Sequence, residues 1–142
     1  MKSRETLIRL QQWQVDEIRR RLAGLEGMRA DLERKAQEIE TSVADERGFG
    51  ESSPIGAFAF PSFVRAMSER REKLERSIEG IDREIEAAKT LLADAYSELK
   101  KFEELEEARV ARERSTRARR EQNELDDIAL KGYRRRQIEN QA

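Results

Sequence analysis

The sequence predicts an all-α chain: two long helices forming an antiparallel coiled-coil hairpin with an overhanging C-terminal helix. Three observations carry this. Between residues 64 and 102 an apolar residue returns at alternating spacings of three and four: Val64, Met67, Leu74, Ile78, Ile81, Ile85, Ala88, Leu92, Ala95, Leu99 and Phe102, with Arg71 as the one polar interruption. A second series of the same spacing runs Ile8, Gln11, Val15, Ile18, Leu22, Leu25, Arg29, Leu32, Ala36, Ile39, Val43. The only turn-rich segment lies between them, with Gly48, Gly50, Ser52, Ser53, Pro54, Gly56 and Pro61. A 3.5-residue period places the recurring side chains on one seam that must lie against another helix. A connection this short turns the second helix back along the first.

The boundaries follow from these series. Helix 1 is expected at about residues 4–45, which at 1.5 Å per residue is roughly 60 Å. Gly24 and Gly27 fall within it and Gly80 within the second helix. By the heptad count all three face water, so they soften the helices without opening the seam. The tip loop is expected at about 46–61 and helix 2 at about 62–131. Two starts for helix 2 compete: Ser53 as N-cap with Pro54 at the first helical position, or a later one near Pro61 and Ser62. Gly132 is a candidate helix stop, leaving a loose tail at 132–142. The whole is read as a single domain.

Side-chain size suggests the register. Setting Val15 opposite Ala95, Leu22 opposite Ala88 and Ala36 opposite Leu74 places large against small in each layer. Arg29 then faces Ile81 and Arg71 faces Ile39, which is tolerable when each stem packs and its guanidinium reaches a flanking carboxylate or water.

Composition narrows the function. With 37% hydrophobic and 42% charged residues, the chain is lean for a compact core and suits a coiled coil. Its 29 basic and 30 acidic residues leave a net charge of −1, so no global field draws it to nucleic acid or anionic lipid. It contains neither cysteine nor histidine, which removes disulfides, the commonest zinc ligands and imidazole chemistry. No apolar run reaches a membrane span, and the first fourteen residues lack the apolar core of a signal peptide. The expectation is a soluble cytoplasmic protein without membrane insertion.

Catalysis is not expected. Carboxylate pairs such as Glu103 with Glu104 and Asp126 with Asp127 read as solvated faces, because two helices offer no cleft to raise a carboxyl pKa. No phosphate-binding loop, dinucleotide fingerprint or HExxH motif occurs. No catalytic residue, cofactor or metal is assigned.

Three groups of residues are candidates for protein binding. Leu7, Leu10 and Trp13 lie off the seam, which a third helix or a partner would explain, as would Trp13 folding over its own helix. Arg109, Arg112, Arg117, Arg119 and Arg120 form a basic block after the acidic cluster of Glu103, Glu104, Glu106 and Glu107. A protein surface, a nucleic acid or solvent are the three readings, and the absence of interleaved aromatic residues argues against nucleic acid. Phe58, Phe60 and Phe63 crowd the tip with Phe49 and Ile55, either as a small core closing the turn or as a cap for a partner.

The start LIRLQQWQVDEIRRRLAGLE, the stretch LLADAYSELKKFEELEE and the run RREQNELDDIAL, set on a hairpin of this length, resemble the FliJ family (FliJ/YscO-like type III export stalks), in the form found in alphaproteobacteria. The most specific pieces are LKKFE at 99–103 and EQNELDD at 121–127, and the tip sequence GAFAFPSF departs most. The resemblance implies a stalk-like antiparallel coiled coil of the flagellar export apparatus, similar to the central stalk of rotary ATPases and serving motility. Implied partners are a hexameric FliI-like export ATPase, an FlhA-like export gate protein and substrate chaperones. The free chain is expected to be a monomer, and the implied location is the cytoplasmic face of the flagellar base. By this analogy Leu7, Leu10, Trp13 and the arginine block face the ATPase, and the Phe-rich tip half faces the gate. A homodimeric coiled-coil adaptor and a nucleic-acid-binding rod are the alternative readings.

Overall fold

The computed structural model describes residues 2–141, with side chains described from residue 3 to residue 141. The protein is all-helical, with two long helices: α1 (Lys2–Ser52) and α2 (Pro54–Gln141). Among the described residues only Ser53 is not helical.

Two of the expected boundaries are therefore corrected. No loop occupies 46–61, and of the two expected starts α2 takes the earlier, at Pro54, instead of the one near residue 62. The glycines and serines of this segment read as a turn because glycine commonly supplies a positive φ there. Among the described residues, however, no glycine has a positive φ. The break between α1 and α2 is confined to Ser53, whose carbonyl accepts the Ala57 N–H at 3.0 Å. Pro54 follows at the first helical position, where its missing N–H has no intrahelical partner to lose. Ser52 closes α1, its hydroxyl donating to the carbonyls of Gly48 (3.3 Å) and Phe49 (3.1 Å). Pro61 lies inside α2, at the expense of the hydrogen bond its nitrogen cannot donate.

The second correction concerns the C-terminus. Gly132 does not stop α2, and the segment expected to be a loose tail is helical as far as Gln141. Beyond Gly132, Arg134, Arg135, Arg136 and Gln137 are good helix formers. Gln137 also donates to the Tyr133 hydroxyl one turn back, at 2.8 Å.

The residues group into two units. One is Leu10–Ser97; the other takes Met1–Arg9 and Glu98–Ala142. In Leu10–Ser97, the partners along α1 are met in reverse order along α2. Arg19 stacks over Tyr96, 4.9 Å from the ring centre. Leu25, Ile85 and Ala88 form a buried cluster with Leu22 and Ile81 packed against it. Arg29 bonds Asp82 at 2.5 Å, Arg71 bonds Glu40 at 2.7 Å, and Arg47 lies over the Phe60 ring. Each of the two seam arginines thus reaches a carboxylate on the other helix. Arg29 also binds Glu33 at 2.5 Å, and its pKa is raised first by the Asp82 hydrogen bond and then by Glu33.

Burial in this unit follows the 3.5-residue period. Val15, Leu25, Ile85, Ala88 and Ala95 are the buried hydrophobic residues. The other seam residues of the unit are half-buried, Gln11 and Arg29 included, while Arg71 is exposed. Most seam side chains keep some exposure, so the stabilisation per residue falls below that of a globular core.

Glycine serves two purposes in this unit. At the tip, a β-carbon on Gly56 would stand 2.5 Å from the Phe49 ring and 3.0 Å from the Phe49 carbonyl, and Gly50 lies 3.5 Å from the Gly56 carbonyl by the same measure. These glycines let the helix ends approach. Gly24 and Gly27 have nothing within 4 Å.

Candidate functional site

In the unit of Met1–Arg9 and Glu98–Ala142, the 3.5-residue spacing continues past Phe102 onto two charged residues, Glu106 and Arg109. Arg109 grips Glu106 with two donors, Nε to Oε2 at 3.1 Å and Nη2 to Oε1 at 2.5 Å, and reaches Glu113 with Nη1 at 2.6 Å. Both ends of the Arg109–Glu106 pair are largely covered, with side chains 20% and 18% exposed. The Arg109 hydrogen bond holds the Glu106 carboxyl below its usual range against the opposing effect of burial, and Arg4 adds attraction. The same bond raises the Arg109 pKa. Alongside, Arg4, Leu7, Ile8, Phe102 and Leu105 line a small apolar pocket of about 120 Å³.

Past this pair the helix is bare: every residue from 111 to 131 is exposed. Arg109, Arg112, Arg117 and Arg120 line one face with Glu113 and Thr116, as a spacing of three and four requires. Arg119 is exposed but is not part of that face. The Arg112 guanidinium donates to the Ala108 carbonyl at 3.4 Å. Of the arginines in the block, Arg109 is committed to carboxylates within the chain, and Arg112, Arg117, Arg119 and Arg120 have no intramolecular ion pair among the described residues. Leu7 lies in this unit and is 42% exposed.

Leu10 and Trp13 belong to Leu10–Ser97, where they are exposed. Phe58, Phe60 and Phe63, also of this unit, separate. Phe58 is 90% exposed, with Ile55 one turn before it at 78%. Phe60 is half-buried under the Arg47 guanidinium, 5.8 Å from its ring centre. Phe63, also half-buried, lines a groove of about 680 Å³ whose apolar side comprises Ile39, Phe63, Met67 and Leu74. Lys35, Arg70 and Lys73 border that groove against a single carboxylate, Glu38. So the tip is neither wholly a closing core nor wholly a cap.

A model of the flagellar FliJ protein family matches residues 1–138. The chain belongs to the FliJ family. It is accordingly a component of the flagellar export apparatus, in a family known for a structural role in export and not as enzymes. No curated protein and no solved structure gives a match. No described helix is long and apolar enough to cross a membrane.

Three features of the FliJ-family chain were invisible to apolar periodicity. Glu106 and Arg109 are charged, so they read as the start of the bare segment, although they keep the spacing that begins at Val64. Lys35, Arg70 and Lys73 lie in mixed-charge stretches, and only the pairing of the helices brings them to one groove. Ile55 was read as part of the turn, and the helical start at Pro54 turns it outward with Phe58.

Proposed function

We propose that this FliJ-family chain is a single antiparallel coiled-coil hairpin with an overhanging C-terminal helix, acting as the soluble stalk-like component of flagellar protein export. In this reading it binds a FliI-like hexameric ATPase and links it to an FlhA-like export gate and to substrate chaperones at the cytoplasmic face of the flagellar base. The observation that carries it is the exposed helix of residues 111–131, whose arginines have no ion pair among the described residues. A long charged helix covered by nothing is marginal in water and gains most by docking in a binding partner. Leu7, Leu10 and Trp13 with Arg109, Arg112, Arg117, Arg119 and Arg120 form the ATPase side. Phe58 and the groove beside Phe63 form the gate side, with Phe60 supporting them. Diluted and alone, the chain is a monomer.

The test is to mix the purified chain with its cognate export ATPase and follow hexamer formation and ATP turnover. Alanine at Arg112, Arg117 and Arg119 together is expected to weaken binding and abolish stimulation while leaving helix content intact. Unchanged binding and turnover would remove the arginine block from the interface.

A further inference from the structure

Within the bare segment, Leu125 and Ile128 are 61% and 67% exposed. They stand three residues apart on one helix face, and the spacing that joins them extends back to Glu121 and forward to Gly132. Gly132 is helical without a positive φ, and a β-carbon there would meet only the end of Arg136 at 3.9 Å. Neither a cap nor a close neighbour within the chain accounts for it. Glu124 and Lys131 flank the face, and neither has an ion pair within the chain among the described residues.

We propose that this face of α2 pairs with the same face of a second copy, antiparallel about a two-fold axis. An isologous contact must be complementary to itself, and this face is. Leu125 set opposite Ile128 of the second copy forms two apolar layers, because the axis repeats the pair. The same alignment brings Glu124 beside Lys131 of the second copy, again twice, and sets the Glu121 stem over Gly132, where the missing side chain leaves room. Sliding by one heptad puts Leu125 against Arg135 and Glu121 against Glu139. A parallel alignment puts Glu121 against Glu121 and Lys131 beside Arg136. Both alternatives set like charges together, which is unfavourable. Two apolar layers make a small interface, so the dimer is weak and forms only at high concentration.

The experiment uses the full chain alone, so its outcome is independent of the ATPase reading. Sedimentation equilibrium from micromolar to near-millimolar concentration is expected to show reversible dimerisation. Leu125→Arg with Ile128→Arg should abolish it at unchanged helix content, since both positions are exposed. Glu124→Lys or Lys131→Glu should each weaken it about tenfold, each change turning two attractions into repulsions. The double variant Glu124→Lys with Lys131→Glu keeps the net charge and should restore the wild-type constant. A monomer mass across the whole range overturns the proposal. So does a dimer indifferent to the arginine pair, or one that the charge exchange fails to restore.

Discussion

Residues 10–97 and residues 111–131 share the same helical geometry but have opposite surroundings. In the first region the apolar seam positions are buried or half-buried, and the charged exceptions, Arg29 and Arg71, each bind a carboxylate on the other helix. In the second every residue is exposed, and its arginines have no ion pair among the described residues. The contrast separates what holds this fold together from what is left over for partners. Helix propensity alone does not distinguish the two, because it is a local property and most helical stability in proteins comes from packing of one face.

Core truncation sharpens this difference most. Replacing Ile85 by Ala, in the buried cluster with Leu25 and Ala88, is expected to cost about 2–4 kcal/mol in denaturant unfolding. The matching change Leu125→Ala in dilute chain should cost less than about 0.5 kcal/mol, as at other exposed positions. Similar losses at the two sites would mean that residues 111–131 are packed after all.

A smaller effect divides the glycines. At Gly56 an added methyl group meets the Phe49 ring and carbonyl, so Gly56→Ala is expected to destabilise by about 1 kcal/mol or more. At Gly27 the space is open, and Gly27→Ala should stabilise by about 0.8–1 kcal/mol through helix propensity alone. Thermal melts of the two variants should therefore move in opposite directions.

The smallest effect concerns the charged continuation of the seam at Glu106. Its carboxyl is held below the ordinary value by Arg109. Its contribution is therefore complete above the unfolded carboxylate pKa and fades as pH falls through the lower, folded value. Glu106→Gln should lower the melting temperature at about neutral pH, and this deficit should shrink under acid conditions. A deficit that does not change with pH would leave the pair without an electrostatic role.

Much of this could be read residue by residue. The series from Ile8 to Val43 and from Val64 to Phe102 names residues that are half-buried or buried, with Arg71 as the exception. Seam membership was legible because a 3.5-residue repeat needs no information from elsewhere in the chain. Glu106 and Arg109 were not, since a pattern drawn from apolar residues stops where charged ones take over its positions. The tip was misread for a related reason. Gly50 and Gly56 permit helix ends to approach, but in a sequence they look the same as glycines that turn the chain.

By itself, then, the sequence determined the helical class, the spacing of the two series with Arg29 and Arg71 as their charged positions, and the membership of the FliJ family, because all of these rest on spacing and local preference. Only the tertiary structure decided between the two starts of α2 in favour of Pro54, left Phe58 standing out while Phe60 and Phe63 are partly covered, and bound Arg109 to Glu106. Those outcomes depend on which side chains meet across space. A side chain's partners, unlike its period, are set by the distance between helices and the direction in which each face points.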